Sequence, residues 1–332
     1  MSQPCRSLLV LAIVIACLGA VFGCGRSKTP EPAERGSDLV LDIPTRFPGV
    51  QRLVAIGDLH GDLRAARTAL RIAGATDEND DWIGGELVVV QLGDILDRGD
   101  DAMEILDLLD SLRRQARASG GDVHLLNGNH ELMNVKLDMR YVSVGGYVDF
   151  LPGEKPEPGT ATAQDVVDGV GERILAIRPG GSMALRFAQR NVVAIVGDTV
   201  FVHGGVLPHI VDYGIELLNQ ETRRWIRGDD PCPPEVLLGN DGPVWSRHFS
   251  DEPDAEDCRL LEATLEQLGA GRMVVGHTVQ RSGISPACDG RVWRADVGMA
   301  DHYGGEAAVL ELSNGEVRIL DQSRISRPND PV

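Results

Sequence analysis

Five short segments carry the kinds of side chain that bind divalent cations and phosphate. They are Gly57-Asp58-Leu59-His60-Gly61, Gly93-Asp94-Ile95-Leu96-Asp97-Arg98-Gly99, Gly128-Asn129-His130-Glu131, His203-Gly204-Gly205 and Gly276-His277-Thr278. Carboxylate, amide oxygen and imidazole without thiolate suit manganese, iron or zinc. Asp58, His60, Asp94, Asn129, His203 and His277 suffice for two ions if one carboxylate is shared, and Asp94, in the second segment, is the natural bridge. Two ions so bridged stand roughly 3.5–4 Å apart, the spacing that clamps an in-line phosphoryl displacement. Water between them loses a proton near neutral pH and becomes the nucleophile, so no phosphoenzyme is required. A leaving alkoxide or phenoxide needs a proton donor, which imidazole supplies near pH 7. The planar fork of arginine matches phosphate oxygens. Taken singly each segment is weak, because an Asp-x-His after a strand is commonly a turn with a solvated imidazole, and Asn129 reads equally well as a helix cap. Their joint occurrence points to a metal site.

Each segment follows an apolar run. Arg52–Ile56, Leu87–Leu92 and Val123–Leu126 read as buried strands that end at the first three segments. Between them Leu63, Ala66, Leu70 and Ala73 recur at helical spacing before a C-cap at Gly74. Ile105, Leu108, Leu109 and Leu112 share a face of a second helix, stopped by Gly120-Gly121. Further strands are predicted at Val192–Val196, Val200–Val202, Met273–Val275, Val292–Ala295, Ala307–Leu312 and Val317–Leu320. The order predicts an α/β fold with a parallel half and an antiparallel half, its ligands converging at the carboxyl ends of the strands. Residues 135–190, rich in proline, glycine and charge, read as an insertion over those ends. His124, His209, His248 and His302 read as solvated or hydrogen-bonded rather than as ligands, and Trp225 as core.

Composition narrows the partners. The 332 residues include 32 Lys+Arg against 50 Asp+Glu, a formal charge of −18, which argues against binding to nucleic acid. With 42% hydrophobic and 25% charged residues, the chain is an ordinary globular one. At the N-terminus Arg6 precedes an uncharged apolar stretch from Leu8 to Phe22 that ends at Gly23-Cys24-Gly25. This resembles a bacterial lipoprotein signal over residues 1–24, with Cys24 lipidated; Val14-Ile15-Ala16-Cys17 is a competing match, and a plain secretory signal is the alternative. Residues 25–46 read as a polar tether and 47–325 as the catalytic domain, which places the protein outside the cytoplasm on a membrane, or secreted. Past that leader stand Cys232, Cys258 and Cys288, without metal-ligand spacing; Cys232 with Cys258 is the preferred disulfide, although sequence does not settle the pairing.

GDLHG, GDILDRG, GNHE, HGG and GHT together resemble the metallophosphoesterase superfamily as carried by PPP-type phosphatases. The stretch from Leu132-Met133-Asn134 to Asp138-Met139-Arg140-Tyr141, with Gly242-Pro243-Val244-Trp245-Ser246-Arg247, is similar to its bacterial Shewanella-like branch, and the likeness spans about residues 50–320. The resemblance implies a β-sandwich flanked by helices, with a dinuclear site at the strand ends. It implies one ion on Asp58, His60 and Asp94, and another on Asp94, Asn129, His203 and His277. It also implies His130 as general acid, Asp97 as the carboxylate orienting it, and Arg98 and Arg247 as phosphate-binding arginines. The expected activity is phosphomonoester hydrolysis on phosphoproteins or phosphopeptides, at serine/threonine or tyrosine, by direct attack of a hydroxide bridging the ions, with manganese as the assay metal. A dinucleoside-polyphosphate hydrolase and a non-catalytic metal-binding surface lipoprotein are the competing readings.

Overall fold

The computed structural model describes residues 43–324 apart from 154 and 158; Cys17, Cys24 and the signal lie outside the described residues. In chain order the elements are β1 (Arg46–Phe47), β2 (Arg52–Ile56), α1 (Leu63–Ile72), β3 (Val88–Gln91), α2 (Ala102–Ala118), β4 (Asp122–Leu125) and α3 (Asn129–Val135). Then come α4 (Val144–Val148), α5 (Ala163–Ile177), α6 (Ser182–Phe187), β5 (Val193–Val196), β6 (Thr199–Val202), α7 (Pro208–Tyr213) and α8 (Ile215–Ile226). The chain closes with α9 (Ala255–Leu268), β7 (Arg272–Val275), β8 (Ser285–Ala287), β9 (Val292–Arg294), β10 (Ala308–Ser313) and β11 (Glu316–Asp321).

The strands form two mixed sheets flanked by helices, ordered β11-β10-β2-β3-β4 and β1-β5-β6-β7-β9-β8. β3, β5 and β6 are buried at every position, which is why they read as unbroken apolar runs rather than alternating ones. One continuous core takes Val54 and Val89 from the first sheet and Phe201 and Val274 from the second. In the first sheet β2, β3 and β4 run parallel, with Ile56 opposite Gln91 and Gln91 opposite Leu125, so the segments that follow them emerge side by side. In the second, β6 and β7 are parallel with Phe201 opposite Val274, which brings His203 beside Gly276-His277. A parallel half and an antiparallel half were expected; instead each sheet mixes both, because β10 returns antiparallel against β2 while β7 and β9 pair in parallel.

Local signals account for the helices. Asp62 caps α1 by accepting from Ala65 N, and Gly74 follows at φ +67°, a left-handed conformation glycine adopts without Cβ strain. Gly128, not Asn129, is the N-cap of α3, which frees the Asn129 amide for the site. At the N-terminal end the polar stretch gives way earlier than residue 47, since Thr45 is buried and Arg46–Phe47 pairs with β5. The segment 135–190 holds α4, α5 and α6 and feeds a side chain into the site. Cys258 is disulfide-bonded to Cys288 and not to Cys232: α9 stands beside the turn after β8, where Glu262 also meets Arg291 at 3.2 Å, and packing rather than loop composition selects the pair. Among the described residues no helix is long and apolar enough to cross a membrane.

Candidate active site

Positioning begins with backbone that departs from regular strand geometry. His60, Asp94, Asp97, Arg98 and His277 all have positive φ, between 43° and 72°. Non-glycine residues in this region are strained by about 1–3 kcal/mol each, and such strain concentrates where a side chain must be aimed. Two buried groups tie the loops together. Gln91 donates from Nε2 to Gly57 O at 3.2 Å and Gly93 O at 2.6 Å, and accepts from Gly93 N at 3.1 Å. Glu131 accepts from the backbone N–H groups of Asp94, Ile95, Leu96 and Gly128 at 2.8–3.2 Å.

All six expected ligands converge and are buried, apart from the half-buried His277. Asp94 is common to two compact groups, one with His60 and His130 and the other with His203 and His277. Asp58 joins the first, its Oδ2 lying 3.8 Å from His60 Nε2. Asn129 joins the second, its Oδ1 2.8 Å from His203 Nε2. Hydrogen bonds fix the imidazoles: Nδ1–H of His60 donates to Leu96 O at 3.2 Å and that of His203 to Leu92 O at 3.0 Å, which leaves both Nε2 lone pairs facing the centre. His203 Nε2 then meets Asp94 Oδ2 at 3.2 Å and His277 Nδ1 at 3.2 Å as well as the Asn129 oxygen. Acceptors that crowd acceptors repel one another unless a cation stands among them, so the donor set fits divalent ions.

The electrostatics agree. Burial pushes His60 down to about 4 and, with His203 beside it, His277 down to about 3; both are neutral imidazoles able to ligate. Burial, with Asp296 and Asp94 close by, holds the Asp58 carboxyl well above its usual range. Burial also raises Asp94, but His203, His130 and His60 outweigh it and keep that group far below the usual carboxylate range. Asp296, which the sequence did not single out, is a further buried carboxyl, raised by burial to about 6. Glycine makes the room: a Cβ at Gly128 would collide with Asp94 Oδ1, and one at Gly276 with Asp58 Oδ1.

Beside these groups His130 Nδ1 lies 2.7 Å from Asp97 Oδ2, leaving Nε2 3.8 Å from Asp94 Oδ2. Burial works against an imidazolium here, yet Asp94 and Asp97 overcome it and raise the His130 pKa. Geometry alone would group His130 with the ligands, but its bond to Asp97 gives it a separate support. Asp97 is itself held by Asn134 Nδ2 at 3.0 Å and by Arg173 Nη2 at 3.1 Å. Arg173, only 1% exposed, also donates to Asn134 Oδ1 and to Gly146 O, both at 2.8 Å. The sequence reading missed Arg173. A signal existed, for Gly169, Arg173 and Ile177 form the buried stripe of α5, and an arginine on that stripe needs a buried partner. Arg98 stacks over Tyr141 at 4.0 Å with its Nε buried and unbonded, and Tyr303 stands 5.1 Å from His60. Arg247 donates to Thr278 Oγ1 at 2.7 Å and, with Trp245 and His277, lines an open cavity of about 570 Å³.

Two sheets that bring two metal-competent donor groups, with Asp94 in both, to adjacent strand ends are the frame of a metal-dependent phosphoesterase. Residues 51–281 match the calcineurin-like phosphoesterase family, and the chain belongs to it. Within that family it stands in the Shewanella-like branch of PPP-type phosphatases. It is 40% identical to Shewanella-like protein phosphatase 2 of Arabidopsis thaliana over 86% of this chain and 82% of that protein. Shewanella-like protein phosphatase 1 of Plasmodium berghei is 29% identical, over 76% of this chain and 69% of its own. The crystal structure of a cold-active protein-tyrosine phosphatase from a psychrophilic Shewanella superposes with a TM-score of 0.66 at 25% identity, covering 83% of this chain and 80% of that one.

Proposed function

We propose that this enzyme is a two-metal protein phosphatase whose preferred substrate is phosphotyrosine. The observation that carries the phosphatase reading is the pairing of a shared-carboxylate donor set with a separately supported imidazole, His130. Asp58, His60 and Asp94 would hold one ion and Asp94, Asn129, His203 and His277 the other. When bound, a divalent pair, manganese or iron in our reading, activates water and offsets charge on the phosphoryl group. Arg98 and Arg247 bind the phosphate oxygens, Arg98 with its plane already fixed by Tyr141. His130 holds a proton at Nε2 and gives it to the departing oxygen, while Asp97 fixes Nδ1–H and offsets the imidazolium charge. The cavity beside His277, walled by Trp245, favours an aryl ester, and the related Shewanella structure is described as a tyrosine phosphatase. The manganese-loaded enzyme should cleave a phosphotyrosine peptide faster than a phosphoserine peptide, and diadenosine polyphosphate hardly at all. Preferred cleavage of the dinucleotide would overturn the protein-phosphatase reading, and a phosphoserine preference the choice of tyrosine.

Location outside the cytoplasm on a lipid anchor is the second part of the proposal, supported by the Arg6, apolar and Cys24 pattern. Labelled palmitate should enter the expressed protein and be lost on Cys24→Ala; retention in that variant with loss on Cys17→Ala would move the anchor to the competing site. Absence of label from both the parent and the variants would sink the anchor.

A further inference from the structure

Away from the metal site, arginines gather in a pocket between α2 and the end of α6. Arg113, Arg114, Arg117, Arg186 and Arg190 line a cavity of about 280 Å³, together with Asp110 and Gln189. On a chain of net charge −18 such a gathering opposes the overall balance. Carboxylates answer part of it. Arg186 binds Asp110 at 2.6 Å and Asp107 at 2.9 Å, and Arg117 binds Asp122 at 3.0 Å, with Arg113 also near Asp122 at 3.8 Å. Two cations are left over. Arg114 is exposed and makes no ion pair among the described residues. Arg190 is 3% exposed, and both its terminal nitrogens, Nη1 and Nη2, are buried without a hydrogen-bond partner. Its guanidinium stands over the Phe187 ring, 5.1 Å away.

A buried guanidinium with two unsatisfied donor groups is costly unless a ligand answers it. Glu131 and Asp110 act on Arg190 through space, but Glu131 spends its oxygens on the metal-loop N–H groups and Asp110 on Arg186. Burial lowers the Arg190 pKa only to about 10, so the group stays charged at neutral pH. The fork geometry of guanidinium selects tetrahedral oxyanions over halides, and the cavity is large enough for a phosphate group with a few waters.

We propose that this pocket is a second, non-catalytic binding site for a phosphate-class oxyanion, with Arg190 at its base and Arg114 at its mouth. The proposal stands independently of the substrate assigned above, because none of these arginines belongs to the metal site. Its test is equilibrium dialysis of the metal-loaded enzyme against labelled inorganic phosphate. At saturation about two equivalents per chain are expected, one at the metals and one in the pocket. Arg114→Glu should weaken the second equivalent at least tenfold and leave the first, and turnover in phosphate-free buffer, unchanged. Arg190→Gln should abolish the second equivalent; if that variant does not fold, Arg114→Glu decides alone. One equivalent in the parent enzyme that Arg114→Glu leaves untouched, or two equivalents that neither substitution alters, would overturn the site. Loss of the first equivalent alone would speak against the phosphatase reading and not against the pocket.

Discussion

At the scale of single residues, the hydrogen-bonded chain Arg173–Asp97–His130 supports the imidazole proposed as proton donor. General acid catalysis contributes about 10²–10⁴-fold, so His130→Asn should cut turnover by that order with the metals retained. The loss should depend on the leaving group: large for phosphoserine, whose alkoxide needs the proton, and small for p-nitrophenyl phosphate. Equal losses, where chemistry limits both, would leave His130 as a positioning group. Arg173 touches no substrate and acts through Asp97. Replacing it with Met should lower kcat roughly 10–100-fold with KM little changed, the usual scale for a supporting partner. Removal of a nearby positive charge strengthens proton binding at His130, so the alkaline limb of the kcat profile should move to higher pH. Arg173→Lys should restore part of both effects. A kcat profile that keeps its position in Arg173→Met would show a structural role only.

Among elements, the ends of parallel strands do the placing. Leu53–Ile56, Val88–Gln91 and Asp122–Leu125 run in matched register, so the first three ligand segments leave the first sheet at one edge. The second sheet delivers its two histidines from β6 and β7 in the same way. Its far side is fastened by Cys258 on α9 to Cys288, a sequence separation of 30. Closing a loop of that size is worth about 3–4 kcal/mol in the chain-entropy account. Cys258→Ser with Cys288→Ser should therefore lower the melting temperature by roughly 6–12 °C in calorimetry. An unchanged melting temperature would mean that packing of α9 alone secures this edge.

For the whole molecule, stability against acid has a visible contributor remote from the metals. His124 on β4 is 8% exposed, packed 4.1 Å from the Phe47 ring, and burial lowers its pKa to about 4 despite Asp122 at 4.0 Å. The unfolded chain takes up this proton near 6.5 and the folded chain only near 4. Stability is therefore full above 6.5 and falls as pH drops through that window, by about 2–3 kcal/mol at pH 4.5. Denaturant titrations at pH 7 and 4.5 should show a smaller loss for His124→Gln than for the parent. An identical loss would assign the acid sensitivity to other groups. The strongly negative surface has its counterweight in two places, the metal centre and the arginine pocket, so anions are drawn locally to a molecule that repels them at long range.

The residues that converge at the site, the strands before each of them and the two long helices of the first sheet were legible in the sequence, because each rests on local pattern. An apolar run of four to six residues, a glycine and a polar side chain is a short-range signal, and Ile105, Leu109 and Leu112 do lie buried on one face of α2. Contacts between distant residues were not legible. Arg173 reaches Asp97 across 76 positions, and nothing in the spacing of either residue requires it. Cys258 takes Cys288 because α9 packs beside that turn, and the sheets mix strand directions because β10 closes on β2. Gln91 and Glu131 look like ordinary polar residues until folding buries them and leaves backbone N–H groups to satisfy. The residue types and their order set the chemistry available to this protein; burial and long-range packing decided which carboxylate, imidazole and guanidinium would meet.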